Sequence, residues 1–108
     1  TFPTMNLDAY QKAARETAIY PETMFVVYPA LGLAGEVGEF CNTLKKSYRD
    51  SVPMDRDHLA AELGDILWYL AVLAGDLDMS LDDIAMVNLN KLRSRKERGK
   101  LSGNGDDR

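Results

Sequence analysis

Hydrophobic side chains recur along this chain at the three- and four-residue intervals of amphipathic helices, and they mark out four of them. Asn6 stands where it can cap the first, with Leu7, Tyr10, Ala13 and Ala14 on one face and Gln11, Lys12 and Arg15 turned outward. That helix must stop before Pro21, whose ring removes a donor and disfavours helical geometry at Tyr20. The aromatic, proline-marked stretch from Tyr20 to Pro29 reads as a loop or irregular lead-in: ordered packing, or a segment that grips a flat ligand. A second helix is expected from about Ala30 to Tyr48, with Leu33, Val37, Phe40, Cys41 and Leu44 on a broad apolar arc. Inside it Gly32, Gly35 and Gly38 recur every three residues, at a cost in helix propensity. Close approach of a neighbouring helix accounts for that cost better than a phosphate-binding glycine loop, because these glycines sit within a helical pattern.

The polar stretch Arg49 to Asp57, with Pro53 in it, makes the break before a third helix over about Asp55 to Leu77. Leu59, Leu63, Ile66, Leu67, Leu70, Leu73, Ala74 and Leu77 cover a wide arc of it, and Trp68 and Val72 lie on other sides. A helix apolar nearly all round is central in its bundle. Only a few residues separate it from the fourth helix, so those two are expected to be antiparallel neighbours. Ser80 with Asp83 resembles a capping box, and the fourth helix runs to about Arg98. Leu81, Ile84, Ala85 and Leu92 are expected inward, Asn88 sits amid that stripe, and Lys91 and Arg95 extend it. Gly99 to Arg108 reads as a flexible or ligand-ordered tail, and Thr1 to Thr4 as a lead-in outside the fold.

Composition narrows the class. The 108 residues are enough for one domain with one core, and 45% hydrophobic with 28% charged is ordinary for a soluble globular chain. A net charge of −4 argues against a protein whose main task is gripping nucleic acid by its phosphates. The lone Cys41 excludes an intrachain disulfide and fits a reducing cytoplasm. The longest apolar run is short of a membrane span, so no membrane partner is expected.

The chemistry concentrates in two acid pairs, Glu36 with Glu39 and Glu62 with Asp65. An i,i+3 step turns an α-helix by about 300°, so each pair projects from one face. If the second and third helices pack antiparallel, four carboxylates meet in a mostly apolar setting, which repels itself unless a cation sits there. Magnesium suits such oxygen ligands and keeps several waters. One divalent ion neutralises half of the cluster and leaves a site that accepts a phosphate arriving with its own metal. Hydrolysis of a nucleotide or other polyphosphate follows as the reaction class, with Lys46, Asn88, Lys91 and Arg95 as candidates for phosphate oxygens. The rival reading makes the acids plain salt-bridge partners of Lys45, Lys46, Arg49 or Arg56. No acid pair carries a histidine three residues on, which argues against a ferritin-like di-iron bundle.

Leu-Gly-Leu-Ala-Gly-Glu-Val-Gly-Glu-Phe at 31 to 40 and Glu-Leu-Gly-Asp-Ile-Leu-Trp-Tyr-Leu at 62 to 70, with 22 residues between the acid pairs, resemble the MazG-like all-α nucleoside triphosphate pyrophosphohydrolases. Asn88-x-x-Lys91-Leu92-x-x-Arg95 is similar to that family's downstream phosphate-binding pattern. The resemblance covers roughly residues 5 to 106. It implies an all-α, four-helix domain whose active bundle is completed in a homodimer or a dimer of dimers. It implies cleavage of a (deoxy)nucleoside triphosphate between the α and β phosphates, with Mg²⁺, or Mn²⁺ in its place, held by Glu36, Glu39, Glu62 and Asp65. Lys46, Tyr69, Asn88, Lys91 and Arg95 would contact phosphate, and Tyr20, Phe25, Tyr28 and Trp68 are candidates for stacking on the base. A role in nucleotide-pool control, or a phosphoribosyl-ATP or signalling-nucleotide hydrolase of the same superfamily, falls within the resemblance, as does nucleotide binding without turnover.

Overall fold

Helix starts fall where a short polar side chain can take up orphan backbone amides. In the computed structural model, which describes residues 4–108, these are α1 (Leu7–Arg15), α3 (Arg56–Asp76) and α4 (Leu81–Glu97). Asn6 Oδ1 accepts from the Ala9 amide at 2.7 Å, Asp55 Oδ1 from the Asp57 amide at 3.0 Å, and Ser80 Oγ from the Asp83 amide at 3.3 Å. The lead-in expected at the N-terminus lies, apart from Thr4, outside the described residues.

The long helix α2 (Val27–Asp50) starts differently and earlier than expected. Tyr28 and Pro29, read from sequence as loop, are already helical. Pro29 is the third helical residue, where its missing N–H would have had no intrahelical partner, so the ring costs nothing there. Before it, Val26 stands at φ 69°, ψ −54°, and the Val27 amide donates to the Phe25 carbonyl at 2.8 Å. That is a γ-turn with a β-branched residue at positive φ, a strained arrangement. The Val26 amide donates to Asp76 Oδ2 at 2.9 Å, which ties the turn to the end of α3. A 3₁₀ turn at Glu22–Met24 occupies the segment before it.

Among the described residues there are helices and no strand, as the pattern predicts. α3 is central: it packs on α1 and, more extensively, on α2. Ala14, Ala71, Val72, Ala74 and Leu81 form the buried core, with Tyr10, Ala18, Tyr20 and Trp68 packed against it. α3 also reaches the length and mean hydropathy of a membrane span, which the apolar-run argument missed; the central helix of a bundle has the same composition.

Two expectations are corrected. α4 packs on α1 and does not run along α3 as an antiparallel neighbour. The reason is Gln11, expected outward, whose Nε2 donates to the carbonyls of Ala71 and Met79 while its Oε1 accepts the Leu81 amide at 3.1 Å. Gln11 thus sits between the end of α3 and the start of α4, and Asp78 at φ 57° turns the chain there. In consequence only Leu81 of the expected inward stripe is buried; Ile84, Asn88 and Leu92 are exposed. Arg15, also expected outward, turns in to Asp76.

The protomer is open. It exposes 8108 Å², where a compact monomer of this mass exposes about 6,000 Å². Its radius of gyration is 16.8 Å, against about 13 Å for a compact domain of this length.

Candidate active site

Two contacts set the antiparallel register of α2 on α3. Thr43 Oγ1 donates to Glu62 Oε1 at 2.7 Å. Towards the other end the Tyr69 ring lies over Gly32, where an added Cβ would clash with the ring. The close approach inferred from the glycine series is therefore real at Gly32, and absent at Gly35 and Gly38, where an added Cβ would meet no other element within 4 Å. By this register Glu36 and Glu39 fall opposite Asp65. The pKa of the Glu36 carboxyl is raised, first by desolvation and then by Asp65, Glu39 and Glu62, so the other three acids lie near enough to act on it.

Glu62 is the buried member, 7% exposed. Its Oε1 accepts from Thr43, and His58 Nε2, one turn earlier on α3, lies within ion-pair distance of the same oxygen at 2.9 Å. Its Oε2 is buried and has no hydrogen-bond partner. The salt-bridge reading is not realised: among the described residues no lysine or arginine stands within ion-pair distance of Glu36, Glu39, Glu62 or Asp65. Arg49 turns instead to Asp50, at 2.7 Å. Among the described residues no three His, Cys, Asp or Glu side chains close around a single point. An orphaned carboxylate oxygen in an all-oxygen, uncompensated cluster nevertheless fits a hard divalent cation held by few side chains and several waters.

The candidate aromatic residues form one contiguous group beside this cluster. Tyr20 stacks on Tyr28 with centroids 4.8 Å apart, Phe25 meets Tyr20 edge-on at 5.9 Å, and Tyr28 lies 6.4 Å from Tyr69. Burial raises the Tyr69 phenol's pKa, and Tyr28, Glu36 and Asp65 add to it, which places Tyr69 between the aromatic group and the acids. Trp68 packs edge-on to Tyr69 at 5.0 Å, and its indole N–H donates to Thr17 Oγ1 at 2.7 Å.

The segment carrying Tyr20 and Phe25 is anchored by Asp76, whose side chain is fully buried. Asp76 accepts from Arg15 Nη1 at 2.7 Å, the Tyr20 hydroxyl at 2.8 Å and the Val26 amide. Burial alone would raise this carboxyl; the Val26 amide, the Tyr20 hydroxyl and the Arg15 guanidinium outweigh it and hold its pKa below the usual range. Arg15 also lies over the Phe25 ring, 4.7 Å from its centroid.

The basic candidates divide. Lys46 lines a cleft of about 260 Å³ at the far end of the α2–α3 face, with Thr43, Ser47, Asp50 and His58. Asn88, Lys91 and Arg95 lie on α4, which this protomer does not pack along α2 or α3. The tail after Gly99 folds back on them: Lys91 Nζ reaches Asp106 at 3.0 Å, and Arg95, only 3% exposed, donates to the Asp106 carbonyl with its Nε unpartnered.

Thr43, His58 and Tyr10 are the residues the sequence reading passed over. Tyr10 faces Asp65 from α1, its phenol's pKa raised by burial and then by that carboxylate. Thr43 follows Glu39 by one helical turn and His58 precedes Glu62 by one, so the same 3.6-residue logic extended a turn each way reaches both. A larger cavity, about 660 Å³, opens between α1, α3 and the start of α4. Of its charged walls Arg15 is engaged with Asp76 and Asp8 with Ser80.

Comparison with known proteins agrees with this geometry. Residues 29–99 match the model of the MazG nucleotide pyrophosphohydrolase domain. The chain is 46% identical over 114 residues to the Gene 37 protein of Mycobacterium phage L5, covering 96% of this chain and 100% of the relative. No solved structure matches. The matched region spans α3, α4 and nearly all of α2, including both acid pairs, and the chain belongs to the MazG nucleotide pyrophosphohydrolase family.

Proposed function

We propose that this chain hydrolyses (deoxy)nucleoside triphosphates between the α and β phosphates, releasing the monophosphate and pyrophosphate, in the service of nucleotide-pool control. The observation that carries the reading is the buried Glu62 oxygen left without a partner in a carboxylate cluster that no lysine or arginine among the described residues neutralises. Glu36, Glu39, Glu62 and Asp65 would hold Mg²⁺, with Mn²⁺ able to replace it. When bound, such an ion lowers the pKa of its water and offsets phosphate charge. A carboxylate of the set left outside that coordination accepts the proton of the attacking water. Tyr69, between the acids and the aromatic group, would orient the substrate, and Tyr20, Phe25 and Tyr28 would offer ring faces and edges to the base.

Asn88 and Lys91 would supply phosphate contacts from a second copy of the chain, and Arg95, covered by the tail at Asp106, would join them once that tail lifts. Two features support a homodimer or dimer of dimers. Leu63, Val87 and Leu89 are each at least half exposed on α3 and α4. The surplus of roughly 2,000 Å² over a compact monomer matches what one subunit loses in a large obligate interface. A panel of nucleoside triphosphates incubated with Mg²⁺ tests the reaction. Pyrophosphate and monophosphate are expected in equal amounts, and release of orthophosphate alone overturns the α–β cut.

A further inference from the structure

We infer that Thr43 and His58 are positioning residues that set the Glu62 carboxylate for a divalent cation, an inference that rests on the cation reading above. Glu62 projects from α3 on a side chain with three rotatable bonds, and burial alone does not fix which oxygen faces which way. Two groups that meet it from different directions do. Thr43 reaches across from α2 at 2.7 Å, and His58 reaches along α3 at 2.9 Å. Both meet the same oxygen, Oε1, Thr43 as a hydrogen-bond donor and His58 as a close ion-pair partner. Oε2 is left buried, unpartnered and fixed in place. If the pair served only to satisfy a buried acid, sharing the two groups between both oxygens would leave neither orphaned. Concentrating them on one oxygen keeps the other free as a ligand, the arrangement by which outer-shell groups orient a metal-binding carboxylate.

Thr43 also joins the acids geometrically. It lies one turn beyond Glu39 and two beyond Glu36 on the same face of α2, so its hydroxyl ties Glu62 to the helix that carries the other acid pair. Loss of the hydroxyl leaves Glu62 free to turn and swing away from Glu36.

Mn²⁺ binding, followed by the electron paramagnetic resonance of the free ion, tests this on the whole protein without any turnover. Thr43→Val should weaken binding about 10-fold or more, within the range for loss of an outer-shell partner, while Thr43→Ser keeps the wild-type affinity. His58 is more than half exposed, so variants there leave packing intact. His58→Gln, which retains an N–H donor, should bind Mn²⁺ better than His58→Leu. Far-UV circular dichroism identifies any variant that has lost its helices, and the other position then carries the comparison. Wild-type affinity in folded Thr43→Val, or in His58→Leu, overturns the role of that residue. A wild-type protein that binds no Mn²⁺ overturns the cation reading itself, and the inference with it.

Discussion

Asp76→Asn removes the charge on which the aromatic segment hangs. The carboxylate accepts three donors: Arg15 Nη1, the Tyr20 hydroxyl and the Val26 amide. An amide in its place offers one acceptor oxygen and turns an NH₂ toward at least one of those donors. The charge-assisted bond from Arg15 is worth about 1.5–3 kcal/mol, and an unsatisfied buried donor costs about 1–3 kcal/mol. Breaking a buried pair by removing one partner costs about 3–5 kcal/mol. Arg15 is 39% exposed and recovers part of its solvation, so the lower end, about 3 kcal/mol, is expected. At about 4 °C per kcal/mol, the melting temperature falls by about 12 °C at equal protein concentration. Because the folded-state pKa of Asp76 is depressed, its contribution is full above the unfolded value near 4 and is lost as pH falls through the folded value. The gap between wild type and variant should therefore close in acid. Thermal melts from pH 7 to pH 2 check this; a loss under about 1 kcal/mol at pH 7, or a gap that persists at pH 2, refutes the reasoning.

Other consequences are open to test. Gly32→Ala sets a methyl against the Tyr69 ring, and overpacking of that kind costs about 1–3 kcal/mol; a melting temperature equal to wild type would show that the ring is free to move. Glu36→Gln should cut triphosphate turnover by at least about 10²-fold while leaving far-UV circular dichroism unchanged. The Glu36 pKa is raised, so its ionised form opposes folding above that value; metal-free Glu36→Gln should melt higher than wild type at pH 7 and match it in acid. Sedimentation equilibrium should return a multiple of the protomer mass, and a monomer at micromolar concentration would contradict the second-copy reading.

The helix count, the cap positions and the central place of α3 were legible because capping and 3.6-residue periodicity are local. The nearness of the two acid-bearing helix faces was legible too, since two short spacings and an antiparallel hairpin suffice to set Glu36 near Asp65. What escaped depends on long-range partners. Pro29 reads as a helix breaker unless the first turn is known to begin at Val27. Gln11 and Arg15 look like solvent-facing residues of α1, and only the ends of α3 and α4, some sixty residues on, show what they hold. The departure of α4 from α3 follows from Gln11 and the left-handed Asp78, neither of which a periodicity argument weighs. His58 sits four residues before Glu62, not three residues after a member of either acid pair, and only the folded helix shows it against that carboxylate at i,i+4.

The most direct test of the four-carboxylate claim is Mn²⁺ affinity measured side by side in wild type, Glu62→Gln and Asp65→Asn. The account predicts a bound ion in the wild type and loss of it in both variants, with helix content preserved. Equal affinity in all three proteins would contradict it.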